Sequence, residues 1–256
     1  MHARSTLIAV LALGLVLGAC GGSSDGRDGG EDAGPDAGLD AGEDGGDPGL
    51  EVPLPGWGEI LGQCGELDDE EWSSSASYDF VNFIDFGAAG FVYGELSAGG
   101  RKVYDDGNLG GSSIHSEVIA YEMLYRCELA ELIKTEAEIL YQDPGGKKTD
   151  ILVRIDERKV GVSVTRAFHY PPTDPYTLEE GLDLLRRKLE DIQASEANAA
   201  PEDAWVRSML HVVAYDEQYA DRIIQALDRL DSEEPEVVAD TIVLVTITDG
   251  EDDFVY

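Results

Sequence analysis

Hydrophobic and polar positions alternate between helical and strand spacing along the second half of the chain. Ser113 is a candidate helix N-cap, and the segment HSEVIAYEMLYRCEL after it carries apolar positions three and four residues apart. Thr177 and Glu180 have the spacing of a capping box at the start of a second helix, and Asp216 can cap a third. Buried or alternating runs that favour strands lie between and after these helices, at IKTEAEILY (133–141), DILVRI, VGVSVTR, MLHVVAY and DTIVLVTIT.

The resulting order, α-β-β-β-α-β-α-β, predicts an α/β (α+β) fold over residues 113–256, with a mixed central sheet flanked by helices. Residues 56–112 predict a small β-rich extension ahead of this domain. Within it, YDFVNFIDFGAAGFVY (78–93) favours an aromatic hairpin that turns at Gly87–Gly90. The aromatic side chains of this segment fit a protein core better than a ligand platform.

The strands DILVRI and VGVSVTR predict a second hairpin, with DERK as its turn. In that register Asp156 faces Lys159 and Asp150 faces Thr165, and directly paired residues share one face of the sheet. One face is then apolar, and the other collects the polar side chains Asp150, Ser163 and Thr165.

The N-terminal segment has the proportions of an export signal. A short basic start precedes an apolar run of 11 residues, Leu7 to Leu17, which is too short to span a bilayer. The run ends in Leu17-Gly18-Ala19-Cys20, which resembles the lipobox of bacterial lipoproteins and implies cleavage after residue 19 and a lipid on Cys20. The alternative is an ordinary secretory signal with an incidental cysteine.

Residues 20–55 after this signal are dominated by Gly, Asp and Ala. Such a stretch buries too little apolar surface to fold, and its charges repel one another, so we expect a disordered acidic tether. A calcium-binding repeat is the alternative, although the spacing of its acidic residues drifts. The sequence therefore predicts a cell-envelope protein held at a membrane by a lipid anchor.

Charge and cysteine content add two expectations. The net charge of −35 disfavours nucleic acid as a partner, although bases are concentrated between Lys147 and Lys188. In an oxidising envelope, Cys64 and Cys127 are a disulfide candidate, with two free buried thiols as the alternative. The histidines have no metal-ligand spacing, so no zinc site is expected.

Residues 113–215 resemble the PD-(D/E)XK, restriction-endonuclease-like superfamily, in which a helix, three strands, a helix and a further strand form the core. In that family an acid on the first helix, an Asp entering the second strand and a Glu-x-Lys on the third surround Mg²⁺ beside the scissile phosphate. KKTDILV matches the Asp element, and HSEVIAYEML matches the helix acid. The resemblance therefore implies that Asp150 and Glu117 are catalytic residues and Mg²⁺ ligands.

The third element departs from the family pattern, because Ser163 stands in place of Glu and Thr165 in place of Lys. Some members of the family take their basic residue from the following helix, and Arg186 is the candidate for that role. The alternative for Glu117 and Asp150 is that both are ordinary surface acids.

Three functions remain open. The first is a lipid-anchored envelope lipoprotein that displays a catalytically degenerate nuclease-like domain and binds an unidentified protein or other ligand. The second is a Mg²⁺-dependent surface nuclease with a rearranged site. The third is a periplasmic partner-binding protein of unrelated α/β fold.

Overall fold

The computed structural model describes residues 51–109, 114–250 and 253–255. The predicted signal peptide, Cys20, nearly all of the tether and Ser113 lie outside these residues. Among the described residues, no helix has both the length and the apolar composition needed to cross a membrane.

Seven strands and six helices follow one another along the described chain. The strands are β1 (Glu59–Gly62), β2 (Tyr78–Asp85), β3 (Glu131–Thr135), β4 (Ile151–Ile155), β5 (Arg158–Ala167), β6 (Arg207–Ala214) and β7 (Thr241–Ile247). The helices are α1 (Asp69–Ser73), α2 (Ala98–Asp106), α3 (Ile114–Glu128), α4 (Leu178–Asn198), α5 (Glu217–Glu233) and α6 (Pro235–Val238). Short 3₁₀ turns occupy Gly87–Ala89, Tyr93–Glu95 and Asp253–Val255.

All seven strands belong to one mixed sheet, in the order β1-β2-β7-β6-β5-β4-β3. The four central strands, β2, β7, β6 and β5, run parallel to one another. The outer strands β1, β4 and β3 are antiparallel to theirs. Every residue of β6 and β7 is buried, as expected for parallel strands that are covered on both faces.

Helices cover both faces of the sheet. On the α3 face, α3 packs on side chains that include Ile151, Val162 and Ile242. On the α4–α5 face, α4 and α5 pack on a second apolar set that includes Leu210, Val212 and Val245. The mixed α/β class and the order α-β-β-β-α-β-α-β predicted for residues 113–256 are confirmed, with the short α6 added before β7.

Two predicted elements differ in the structure. The expected aromatic hairpin at 78–93 is wrong, because β2 ends at Asp85 and pairs with β1 and β7 instead. The strand expected at 133–141 ends at Thr135, where a turn begins. Residues 56–112 contribute two strands to the main sheet and carry α2, whose Val103 shares the core cluster of α3.

The β4–β5 hairpin forms with a tighter turn than expected. Ile155 pairs with Arg158, so the loop contains only Asp156 and Glu157. Both residues have positive φ, 46° and 65°, as in the type I′ turns that suit two-residue hairpins. The apolar face predicted for the hairpin is confirmed, because shifting the pairing by two residues leaves each side chain on its face.

Two cross-links fix the start of the described chain to the end of α3. Cys64 and Cys127 form a disulfide with a Cα–Cα distance of 4.7 Å, as expected from the sequence. The neighbouring Arg126 donates from Nη1 to the carbonyl oxygens of Leu54 and Pro55, and its backbone carbonyl accepts from the Leu54 N–H at 2.9 Å. Glu122 lies 2.9 Å from the Arg126 guanidinium, so this buried cation has a charged partner.

Candidate functional site

Asp150 lies directly before β4, at the end of the strand where β3 finishes. Its backbone N–H donates to the Val162 carbonyl at 3.1 Å, which continues the β4–β5 ladder and sets Asp150 opposite Ser163. The expected pairing of Asp150 with Thr165 is therefore wrong by two residues, because the turn is shorter than DERK. One oxygen of the Asp150 carboxylate accepts the Val164 N–H at 2.6 Å.

The environment of Asp150 shifts the pKa of its carboxyl towards neutral pH. Burial raises the pKa of this group to about 6, against the opposing effects of the Val164 N–H and the Lys188 ammonium. The Glu136 carboxylate adds to the increase. A carboxyl with a pKa near the working pH can hold or release a proton, and pKa values shifted this far are frequent at functional sites.

Lys188 is the cation that accompanies Asp150. It extends from α4 and donates to the Val164 carbonyl at 3.3 Å, on the strand that also binds the Asp150 carboxylate. Arg186, the cation expected from the sequence, pairs with Glu234 instead, at 2.7 Å between Nη2 and Oε1. The assignment of Arg186 to this site is therefore corrected to Lys188.

The two hydroxyl residues expected on this face behave differently. Ser163 is buried, and its Oγ lies 3.1 Å from the Oγ1 of Thr149, which is also buried. Thr165 is half-buried two residues further along β5, on the same face as Ser163. Ser163 thus belongs to an internal hydroxyl pair at the position where the superfamily that the sequence resembles has a metal-binding Glu.

Glu136 is an acid of this region that was not expected from the sequence. It follows β3 directly, as Asp150 precedes β4 directly, and antiparallel pairing of these strands brings the two carboxylates to one end of the sheet. The signal available in the sequence was an acid immediately after a strand. It was hidden because the predicted strand ran past Glu136.

Glu117 is connected to Glu136 through the loop after α2. The Glu117 side chain is 3 % exposed, and its Oε1 accepts from Asn108 Nδ2 at 3.0 Å. The next residue, Leu109, donates its backbone N–H to Glu136 Oε2 at 2.8 Å. The loop residues Asn108 and Leu109 thus bind both carboxylates and link the start of α3 to the end of β3.

A metal ion here would depend on few ligands. No group of three or more His, Cys, Asp or Glu side chains among the described residues is arranged to hold one. Mg²⁺ commonly takes one or two carboxylates and completes its shell with water and phosphate oxygens. Glu136 and the Asp150 oxygen that does not accept from Val164 fit that minimal set.

The histidines have other surroundings. His115 packs edge-on against Phe91, with ring centroids 4.9 Å apart, among aromatic side chains at the start of α3. His169 is bonded to Glu180 in the loop before α4. His211 is completely buried on β6, and its Nε2 lies 2.7 Å from Thr246 Oγ1.

No family model matches the chain. A Dictyostelium discoideum protein described as "AAC-rich mRNA clone AAC4 protein" is 38% identical over 136 residues, which cover 51% of this chain. The chain spans only 20% of that relative's length.

Among solved structures, the chain is similar to Pyrococcus furiosus SfsA, whose structure is described as a complex with Ca²⁺. The two are 13% identical over 58% of each chain, with a TM-score of 0.26.

Proposed function

We propose that the protein is a lipid-anchored lipoprotein of the cell envelope that displays a nuclease-like domain as a binding module. The lipobox-like Leu17-Gly18-Ala19-Cys20 and the acidic tether support the anchor. The element order and the position of Asp150 at the start of β4 support the relation to restriction-endonuclease-like domains.

Two observations carry the binding proposal: the hydroxyl of Ser163 in place of a carboxylate, and the raised pKa of Asp150. The motif position that normally supplies a carboxylate holds a hydroxyl, which lies 3.1 Å from Thr149 Oγ1. The Asp150 carboxyl has a pKa of about 6, so it is largely protonated only below that pH. A protonated carboxyl binds Mg²⁺ poorly but can donate a hydrogen bond, and Lys188 adds a positive charge beside it. Below about pH 6 this arrangement favours a small anionic group, such as a phosphate, bound without a metal.

A Mg²⁺-dependent nuclease is the second candidate, and one observation favours it. Lys188 stands close enough to Asp150 to affect its pKa, and Glu136 offers a second carboxylate. Glu136 and Lys188 could supply the carboxylate and the cation that the superfamily takes from the strand equivalent to β5, where this chain has Ser163 and Thr165. When bound, Mg²⁺ would stabilise negative charge on a phosphate and activate water.

One set of variants separates the two candidates. We expect inorganic phosphate, titrated by calorimetry without metal about one pH unit below the Asp150 pKa, to bind the wild-type protein. Lys188→Gln should weaken that binding by about tenfold, as for a lost charged contact. Lys147→Gln is the matched control, because it removes the same charge from an exposed lysine. Lys147 pairs with Asp191, which lies on α4 as Lys188 does. We expect no cleavage of single- or double-stranded DNA above a buffer blank in Mg²⁺ or Mn²⁺.

Metal-dependent cleavage that disappears in Asp150→Asn and Glu136→Gln would replace the binding proposal with the nuclease. Asp183→Asn is the control for these variants, because this acid is 83% exposed on α4. Absence of both phosphate binding and cleavage would favour a partner-binding protein that does not use this site.

The anchor is tested separately. In a bacterial host, Cys20→Ser should move the protein from the membrane fraction to the soluble fraction. Mass spectrometry of the wild-type protein should find acyl groups on Cys20. If the wild-type protein carries no acyl groups, the lipoprotein proposal is refuted. The proposal for the folded domain is not affected by that result.

A further inference from the structure

The loop between β5 and α4 is held at its centre by one histidine. His169 Nδ1 lies 2.8 Å from Glu180 Oε1, and its Nε2 lies 2.9 Å from the Asp174 carbonyl oxygen. Both ring nitrogens therefore face oxygen atoms that can only accept hydrogen bonds once Glu180 is ionised. A neutral imidazole carries one N–H and turns a lone pair towards the other acceptor, whereas the imidazolium ion donates to both.

The partners of His169 are themselves fixed. The other oxygen of Glu180 accepts from the Thr177 N–H at 2.8 Å and from the Thr177 hydroxyl at 2.7 Å, in the capping box of α4. Gln218 on α5 exchanges two hydrogen bonds with the backbone of Tyr176, at 3.0 Å and 2.7 Å. The end of the loop is thus fastened to α4 and α5 without help from His169.

The stretch between His169 and Asp174 depends on the histidine. Tyr170 is 86% exposed, and Thr173 is also exposed. Among the described residues, this stretch is held by the hydrogen bonds of His169 and by one backbone bond, from the Asp174 N–H to the Pro171 carbonyl at 3.2 Å. Without the histidine bond, little fixes the exposed Tyr170.

Other groups that face His169 do not compete for its proton. The charged groups that act on it are Glu180 from α4 and Asp174 from the loop itself, and both favour the imidazolium ion. The rings of Tyr176 and Tyr219 pack at 5.8 Å and 5.7 Å. Burial raises the pKa of both tyrosines, that of Tyr176 to about 12, so they stay neutral over the range in which histidine titrates.

We propose that residues 170–174 form a proton-controlled surface loop, which is ordered while His169 carries both ring protons and released when it loses one. The loop presents Tyr170 in a fixed position at low pH and in many positions at high pH. A protein displayed on an envelope meets the pH of its surroundings directly, so the exposure of this tyrosine would follow external pH. The proposal does not depend on the activity proposed for Asp150.

Nuclear magnetic resonance of the whole protein tests the loop. With labelled histidine and threonine methyl groups, His169 Cε1–H should titrate with a midpoint above 6.5, because Glu180 and Asp174 stabilise its charged form. The Thr173 methyl signal should change shift and sharpen over the same pH range. The Thr241 methyl group, buried in β7, should stay constant.

Two variants decide the cause. Glu180→Gln keeps the capping box but removes the charge, so both midpoints should fall together by at least half a pH unit. Glu179→Gln, at the exposed neighbouring acid, should leave both unchanged. The proposal is overturned if Thr173 shows no titration in the wild-type protein, or if its titration persists in His169→Gln.

Discussion

At the scale of single residues, the ionisable groups of the partly buried Asp150 and the fully buried His211 make the stability of the domain depend on pH in opposite directions. Asp150 has its pKa raised to about 6 by burial, and His211 has its pKa lowered to about 3 by burial. Each is therefore neutral in the folded protein over a range in which the unfolded chain would charge it. The folded state is most favoured where neither penalty is large.

Asp150→Asn should stabilise the protein at high pH. The pKa of the Asp150 carboxyl is about 6 in the folded protein and 3.8 in the unfolded chain. The contribution of this group to the free energy of unfolding is therefore fully present below pH 3.8 and is lost as pH rises through about 6. Between about pH 3 and about pH 8 the variant should gain about 3 kcal/mol relative to the wild-type protein, since each pKa unit is worth about 1.4 kcal/mol. Urea unfolding at both pH values measures the difference, with Asp183→Asn as the exposed control.

His211→Gln should remove a pH dependence of stability whose sign is opposite to that of Asp150. The folded imidazole binds fewer protons than the unfolded one, so stability is complete above pH 6.5 and is lost as pH falls towards about 3. Thr246 Oγ1 donates to Asn82 Oδ1 at 2.6 Å, so His211 Nε2 carries the ring proton. Relative to its own value at pH 7, the wild-type protein should lose several kcal/mol more by pH 3.5 than the variant. Equal losses would contradict the assignment.

At the scale of elements, the β4–β5 hairpin shows what a pattern of residue types can and cannot predict. Alternation identified both strands and their apolar face, because a strand buries every second residue. The register was missed because Asp156 and Glu157 are not typical of a type I′ turn, where Asn-Gly is favoured, so a four-residue turn was expected. Tertiary packing of the two strands outweighs the preference of the turn residues.

Glu157→Gly should therefore stabilise the hairpin. Glu157 has φ of 65°, where a residue with a Cβ is disfavoured by about 1 kcal/mol and glycine is not. The midpoint of urea unfolding should rise by the equivalent of about 1 kcal/mol, with no change in slope. Glu157→Ala removes the same charge but keeps the Cβ and should show no such gain.

The exchange of Arg186 for Lys188 has a similar physical origin. The stripe of Leu182, Leu185, Leu189 and Ile192 shows which side of α4 is buried. Arg186 and Lys188 flank this stripe on opposite sides, since each residue advances about 100° around the helix. The sequence does not show which flank faces β5, because this depends on how α4 is placed across the sheet. Glu136 was missed for a related reason, because the end of β3 is set by its pairing with β4.

At the scale of the whole molecule, the cross-links near the end of α3 join parts of the chain that are far apart in sequence. Cys64 and Cys127 are separated by 63 positions, and Arg126 binds the backbone of Leu54 and Pro55 beside them. The strands β1 and β2 and the helices α2 and α3 all lie within or next to the closed loop. The disulfide was predictable from an even pair of cysteines, whereas the buried Arg126 contact was not, because nothing in the local pattern marks it.

Removing the disulfide should lower stability substantially. For a closed loop of this length, the chain-entropy account gives about 4 kcal/mol for the double variant Cys64→Ala/Cys127→Ala. Thermal or urea unfolding of oxidised wild-type protein and of the variant measures the loss. Adding reductant should lower the stability of the wild-type protein only. A difference below about 1 kcal/mol would mean that the unfolded chain is compact without the bridge.

The same bridge determines how the domain responds to mechanical force. Tension applied from the N-terminal side reaches the Arg126 bonds first and can then peel away β1 as far as Cys64. There the load crosses the two sulfur atoms into Cys127, and the chain between the cysteines carries none of it. That chain, about 200 Å when fully extended at roughly 3.3 Å per residue, cannot lengthen while the bond is intact. The disulfide thus acts as a mechanical stop that keeps β2 and most of α3 out of the path of a pull.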